Sequence, residues 1–231
     1  MARRIPGDRL EQLIGCATQV FIEQGYRRTQ MADVADAMGV AKGTLYGYVE
    51  SKEALFDLAV RCVDDEAWRA TPPAFPVRTP KPGATLRYVR ERLTRESIAP
   101  TLARALARKR GPAPPGEVAT IVHELFDQLA RNRCGIKLID RSSRDYPELA
   151  ALWFEGARGG LLAALAAYIE AGARQGRLRP VPDVETAARL ILETIVFWAV
   201  HRHWDSRPTD VGDDVARATV THFVTSTLEK E

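Results

Sequence analysis

Residues 29–53 read TQMADVADAMGVAKGTLYGYVESKE, and their spacing gives helix, tight turn, helix. Thr29 is placed to cap the first helix through its hydroxyl. Val34, Ala35 and Met38 recur on one face of it, with Asp33 and Asp36 on the other. Gly39 stands where a helix-ending left-handed residue is needed, and Val40 follows as a plug between the helices. The second helix is expected over about 42–49, with Leu45 and Val49 inward at a four-residue spacing. Its outward face is Lys42, Gly43, Thr44, Tyr46 and Tyr48, and no carboxylate appears until Glu50. A helix face of one cation, a hydroxyl, two phenols and bare backbone suits a phosphate-bearing partner. Gly43 and Gly47 each cost such a helix roughly 1 kcal/mol. Close approach of backbone to a DNA groove accounts for Gly43; nothing in the sequence accounts for Gly47.

The same rhythm extends on both sides. Leu10, Leu13, Ile14, Ala17, Val20 and Phe21 keep helical spacing up to Gly25, and Leu55, Leu58, Ala59 and Cys62 keep it after Ser51, a natural N-cap. No alternating run bounded by hairpin turns occurs, so the chain reads as all-α. Residues 71–83, TPPAFPVRTPKPG, hold five prolines and read as an extended connection. GPAPPG at 111–116 is a second break. Beyond it, periodic stretches are expected at about 117–141, 147–175 and 183–204, with a last helix from about Asp213 to Leu228.

Residues 8–57 resemble the amino-terminal domain of the TetR family of transcriptional repressors. The likeness rests on Asp33, Ala35, Gly39, Val40, Gly43, Thr44, Leu45, Tyr46, Tyr48, Ser51, Lys52, Glu53, Leu55 and Phe56. It implies an all-α protein with a three-helix helix-turn-helix DNA-binding domain at 1–52, a linking helix at 52–68, and a helical ligand-binding and dimerisation domain at 69–231. By position, the DNA contacts would be Thr29, Gln30, Lys42, Gly43, Thr44, Tyr46 and Tyr48, with Lys52 on a phosphate. Partners would be a palindromic operator in double-stranded DNA, a second copy of the chain, and an unknown small-molecule effector that moves the linking helix. Three positions depart from the family pattern. Ala41 stands where a Ser or Thr cap is usual, Val49 where an aromatic is usual, and Gly47 where a larger side chain is usual.

In the remaining two thirds, Gly156, Gly160 and Ala164 fall at four-residue steps and let another helix approach closely. The run 187–200, AARLILETIVFWAV, is apolar nearly all round and so must be buried on more than one side. The stretch 147–179 resembles the family's penultimate dimer helix. The two together would form a four-helix bundle across a two-fold axis, with Gly156, Gly160, Ala164, Ile191, Ile195 and Trp198 at the interface. Trp68, Tyr88, Phe126, Trp153 and Phe154 are the candidate lining of an apolar effector pocket.

The chain has 231 residues, 45% apolar and 27% charged, with a net charge of +3. Its basic side is 27 Arg and 6 Lys, an excess that a coding sequence rich in G and C explains better than nucleic-acid binding does. No apolar run approaches the roughly 20 residues that span a bilayer, and MARRIPGDRLEQ lacks the apolar stretch of a secretory signal. Membrane association is not expected. Cys16, Cys62 and Cys134 are scattered, as reduced cytoplasmic thiols would be. His201 and His203 are two apart, whereas a helical metal pair wants four, so neither metal nor cofactor is expected. No nucleophile, phosphate-loop or dinucleotide motif suggests an enzyme. Arg3 and Arg4 suit a minor-groove arm. The reading is a DNA-binding repressor released by a small apolar effector. Its alternative is a helical small-molecule sensor with a vestigial DNA module.

Overall fold

The computed structural model describes residues 7–65, 67, 71–95, 99–108 and 111–230. Trp68, Arg3 and Arg4 lie outside the described residues. Within them the elements are all helical, as expected, and the non-helical pairing consists of two isolated bridges, Val49 with Val77 and Leu178 with Glu229. The contacts divide the chain into two units that do not follow chain order. One comprises the described residues of 1–92 together with 134–153, the other those of 93–133 together with 154–231. Residues 134–153, expected in the carboxy-terminal domain, therefore pack with the amino-terminal helices.

The first unit is built on α1 (Gly7–Gln24), α2 (Met31–Ala37), α3 (Lys42–Leu45), α4 (Lys52–Cys62) and α5 (Ala84–Arg95). Leu10, Leu13, Ala17 and Phe21 of α1 meet Val34, Leu45, Val49, Leu55 and Phe56 in a dry core. Phe21 and Phe56 meet edge to face at 5.1 Å, and Tyr26 lies 4.8 Å from Phe56. Residues 134–153 join this unit for polar reasons. On α8 (Arg133–Ser143), the Arg141 guanidinium donates to the Glu23 and Gln24 carbonyls that end α1, and Asp145 accepts from the Arg27 N–H. The Gly135 N–H donates to Asp64 at 2.6 Å.

The second unit packs α6 (Pro100–Ala107), α7 (Glu117–Arg131), α10 (Gly159–Arg174), α11 (Val184–Ala199) and α12 (Asp213–Leu228), α9 being the short Pro147–Ala150. Leu102, Ile121, Leu125, Phe126, Ile169 and Leu192 are fully enclosed. A carboxylate lies among them. Glu117, at the start of α7, is ion-paired to Arg108, accepts the Tyr168 hydroxyl at 3.2 Å and has Arg177 at 3.6 Å. Burial, then the adjoining Glu117, pushes the Tyr168 phenol far up, so it stays a donor. Gly172 is required where it stands, since a Cβ there would sit 2.5 Å from Leu178.

Three expectations are corrected here. First, Ala151–Arg158 winds as π turns before α10. Gly156 and Gly160 stay open, whereas Ala164, one α-helical turn beyond Gly160, is buried within its own unit and is not free for a partner. Second, Ile191 and Ile195 point into the core of their own unit and are closed to a partner, with Trp198 half-buried beside them. The open apolar side chains are Leu190 (64%) and Phe197 on α11, and Val215 (60%) and Phe223 (72%) on α12. Third, the continuous helical run Pro147–Arg174 is long and apolar enough to cross a bilayer by length and composition. It carries Glu155 and Arg158 near its middle, each a cost of roughly 2.5–3.5 kcal/mol at a bilayer centre for an acid or arginine, and Arg158 is paired to Glu193 of α11.

Candidate nucleic-acid interface

The turn between α2 and α3 is closed by backbone. The Gly39 and Val40 N–H groups donate to the Asp36 and Ala35 carbonyls, and Gly39 has φ +65°. Met31, Val34, Ala35 and Met38 are buried beneath it. The start of α2 differs from expectation. Thr29 is 1% exposed, and its hydroxyl donates to the Gly25 carbonyl at 2.8 Å. It therefore neither caps α2 nor reaches a partner. The capping bond comes from the other direction: Asp33 accepts from the Gln30 N–H at 2.8 Å, and Gln30 is left exposed.

Helical pairing in α3 covers only Lys42–Leu45, shorter than the expected 42–49, and continues as turns to Val49. Two glycines and an N-cap alanine without a side-chain bond leave it little intrinsic stability. Leu45 and Val49, both fully buried, anchor it instead. Lys42, Gly43 and Thr44 are exposed, and Tyr46 is 44% exposed. A Cβ on Gly43 would meet nothing within 4 Å, whereas one on Gly47 would sit 3.1 Å from the Thr44 carbonyl oxygen. Gly47 thus has a local cause that the sequence hid.

Lys52 begins α4 after Ser51, whose Oγ accepts from the Ala54 N–H at 3.1 Å. The Lys52 ammonium donates to the Arg27 carbonyl at 3.2 Å and lies 4.8 Å over the Tyr26 ring. It is held at the surface of the bundle beside the exposed Arg27 and Arg28.

The proline-rich segment is extended, as expected, but it also folds back onto the helix-turn-helix, which the sequence does not announce. Val77 pairs with the end of the recognition turn: its N–H donates to the Tyr48 carbonyl at 2.8 Å and its carbonyl accepts from Glu50 at 3.0 Å. The Thr79 N–H donates to the Glu50 carboxylate at 2.9 Å, and its hydroxyl donates to Ser51 Oγ at 2.8 Å. Phe75 stands edge-on to Tyr48 at 6.4 Å. That contact leaves Tyr48 half-buried.

Of the five aromatics expected around an effector, the four described ones divide between the two units. Tyr88 lies under the Arg61 guanidinium, 4.2 Å away, and Trp153 donates to Asp140, both in the first unit. Phe126 is sealed in the second unit, Phe154 is exposed, and Trp68 lies outside the described residues. A different apolar crevice exists within the second unit, lined by Val122, Tyr168, Ile191, Ile195, Val224 and Leu228 among others. Its void is about 10 Å3, room for about one water. Among the described residues no group of three or more His, Cys, Asp or Glu could hold a metal ion.

Comparison with known proteins agrees with this geometry. Residues 13–59 match the model for bacterial regulatory proteins of the tetR family, and residues 137–226 match the carboxy-terminal domain of AefR-like transcriptional repressors. The repressor KstR2 of Rhodococcus jostii is 40% identical over 53 residues, 23% of this chain and 26% of that protein. The biofilm-operon negative regulator IcaR of Staphylococcus aureus is 31% identical over 55 residues, 24% of this chain and 30% of that one. The chain thus spans under a third of either relative. Among solved structures, the ketosteroid regulator KstR2 of Mycobacterium tuberculosis aligns over 100% of this chain and 99% of its own, with a TM-score of 0.57 and 18% identity. SCO3833 of Streptomyces coelicolor aligns over 94% and 91%, also at 0.57, with 21% identity. At these identities the likeness is one of fold.

Proposed function

The chain belongs to the TetR family of transcriptional regulators, DNA-binding proteins rather than enzymes, and from that premise we propose a homodimeric cytoplasmic repressor released from a palindromic operator by a small apolar effector. The observation that carries the DNA reading is the division of the α3 turn. Leu45 and Val49 are wholly buried while Lys42, Gly43, Thr44 and Tyr46 stand open with no acid among them. Gln30 is exposed at the start of α2, Lys52 supplies a cation at the start of α4, and Tyr48 stays half-exposed. Thr29, buried and bonded to the Gly25 carbonyl, supports the connection between α1 and α2 from inside.

Leu190, Phe197, Val215 and Phe223 favour a second copy of the chain as the cover for α11 and α12. Four large apolar side chains open on two neighbouring helices are more than scattered surface residues require. A two-fold dimer presents two recognition turns to two half-sites. The crevice between α7, α10, α11 and α12 favours an apolar effector over a polar one. An effector that binds better to a dimer unable to hold the operator lowers DNA affinity by linkage.

The test is titration of the protein on its own upstream DNA and on a scrambled duplex at two salt concentrations. The expected result is a preference for the native sequence and a steep loss of affinity with salt, from several phosphate contacts per subunit. Equal, feeble binding to both duplexes would leave a small-molecule sensor with a vestigial DNA module.

A further inference from the structure

We propose that the proline-rich strap at 71–83 is a second DNA-contacting element, with Arg78 and Lys81 holding backbone phosphates beside those held by the recognition turn. This rests on the DNA-binding reading and extends it to a segment that the helix-turn-helix pattern does not include.

Position is the first support. The strap is pinned to the part of the first unit that carries the recognition turn and the start of α4. Val77 bonds to both Tyr48 and Glu50, and Thr79 bonds to Glu50 and to Ser51, the cap of α4. Arg78 lies between those two anchored residues in sequence. Its backbone is therefore held at the level of Ser51, one residue from Lys52. Five prolines in 71–83 reduce the freedom of the segment further. A cation on a braced, extended backbone loses less entropy on binding than one on a free arm.

Charge is the second support. From Thr71 to Arg90 the chain carries Arg78, Lys81, Arg87 and Arg90 and no acid. Arg78 and Lys81 are exposed. Glu50 is the acid bonded to the strap; its carboxylate accepts the Thr79 N–H and keeps its charge, so Arg78 and Lys81 outnumber it there. Structural bracing alone would account for Phe75, Val77 and Thr79. It does not account for two open cations on a segment that itself carries no acid. Phosphates are the partner of matching chemistry, and a duplex seated on the α3 turn brings them within reach of the same end of the unit.

The experiment compares the full-length protein with Arg78→Ala, Lys81→Ala, the double variant, and Arg87→Ala as a control for bulk charge. Affinity for a duplex of the protein's own upstream sequence is measured between 0.05 and 0.3 M salt. Each variant is first checked by thermal melting, since surface substitutions should leave the fold intact. Losing one phosphate contact per subunit removes two per dimer, which flattens the log–log salt slope by about 1.8 and weakens binding roughly 60-fold at 0.1 M. The expected result is that slope change for Arg78→Ala and for Lys81→Ala, acting alike on native and scrambled duplexes. The double variant should lose about twice as much, and Arg87→Ala should change the slope by less than half a contact. Phosphate ethylation interference is the second measurement, in which the variant should lose a flanking phosphate that the parent protein needs. Parent-like slope and interference pattern in the double variant would overturn the strap's role while leaving the recognition turn in place. An Arg87→Ala effect equal to that of Arg78→Ala would overturn it too, by showing bulk charge at work. Failure of the parent protein to bind any duplex would overturn both readings together.

Discussion

Replacing Gly43 by alanine separates stability from recognition. In the free protein the position is open, and an added Cβ would meet nothing within 4 Å. Its backbone angle is not of the positive kind that favours glycine. The substitution therefore removes the conformational freedom of glycine from the unfolded chain without a clash in the folded one, a gain of roughly 0.5–1 kcal/mol. α3 has only one turn of helical pairing, which argues for the lower end. For a chain of this size the melting temperature should rise by about 1–4 °C. The same open space is what a groove would occupy. A methyl group placed between helix backbone and duplex holds the recognition turn off by about an ångström and disturbs its neighbours Lys42 and Thr44. The expected loss of operator affinity is at least tenfold, about 1.4 kcal/mol. The assays are a thermal melt followed by fluorescence anisotropy on the native duplex. Unchanged DNA affinity in a protein that melts higher would refute the claim that backbone at Gly43 faces the groove. A lower melting temperature would refute the account of the open site.

Removing the Lys52 ammonium by Lys52→Ala should weaken native and scrambled duplexes alike and flatten the salt slope by about 1.8 per dimer, read by the same anisotropy titration. Glu117→Ala leaves the Arg108 and Arg177 guanidinium groups without their shared carboxylate in a mostly buried place. A loss of about 3 kcal/mol in urea unfolding is expected, and a loss under 1 kcal/mol would show the cluster to be solvated. Phe223→Asp or Leu190→Asp should halve the solution mass by light scattering while keeping the helical circular dichroism, and a mass unchanged in both would remove α11 and α12 as the subunit face. In the second unit, burial, then Arg133 and Arg202, holds the His203 imidazole below its ordinary pKa. Burial opposes ionisation of Asp213, but hydrogen bonds from the same two arginines outweigh it and hold that carboxyl low. Both groups bind protons more readily when unfolded, so the stability they confer is fully present above the ordinary pKa of each and is lost as pH falls from there through the lower folded value. Melts should therefore drop between pH 7 and 5.5, and His203→Gln should flatten that limb but not the acid limb below it.

What the sequence made legible was local. The helix-turn-helix follows from bonds and contacts a few residues apart: the Gly39 turn, the Leu45 and Val49 anchors, the Ser51 cap. Its errors are of the same kind. A threonine one residue before the N-cap can turn either way, and the Thr29 hydroxyl turns back to the Gly25 carbonyl. Non-local pairings left little trace. Nothing in TPPAFPVRTPKPG announces that Val77 will bridge to Val49 or that Thr79 will sit on Ser51. Aromatics were grouped as a pocket by residue type, yet Tyr88 and Trp153 each settle on a polar neighbour. In α11 periodicity correctly grouped Ile191 with Ile195, but a helix apolar on several sides does not say which side faces its own core. The buried Glu117 was read only as a helix start, because its partner Tyr168 is 51 residues away.

The error at Ile191 and Ile195 is informative about control. These side chains, with Val224 and Leu228, line the crevice from α11 and α12, and the other faces of the same two helices carry Leu190, Phe197, Val215 and Phe223. The void is about 10 Å3, while pockets for small molecules run to ~300 Å3 or more. No effector of ordinary size enters without parting these helices. α7 and α10 are held together by the Glu117 cluster through Tyr168 and the paired arginines, and moving them would uncover a buried charge. α12 is tied at its start by Arg133 and Arg202 on Asp213 and to α7 by Arg217 on Asp127 at 2.7 Å, and it meets the crevice through Val224 and Leu228. An opening that spares the buried Glu117 charge moves α11 and α12 against these more exposed ties. On the dimer proposed above, the outer faces of those helices are the ones a second copy would cover, so an effector filling the crevice would act on the subunit contact.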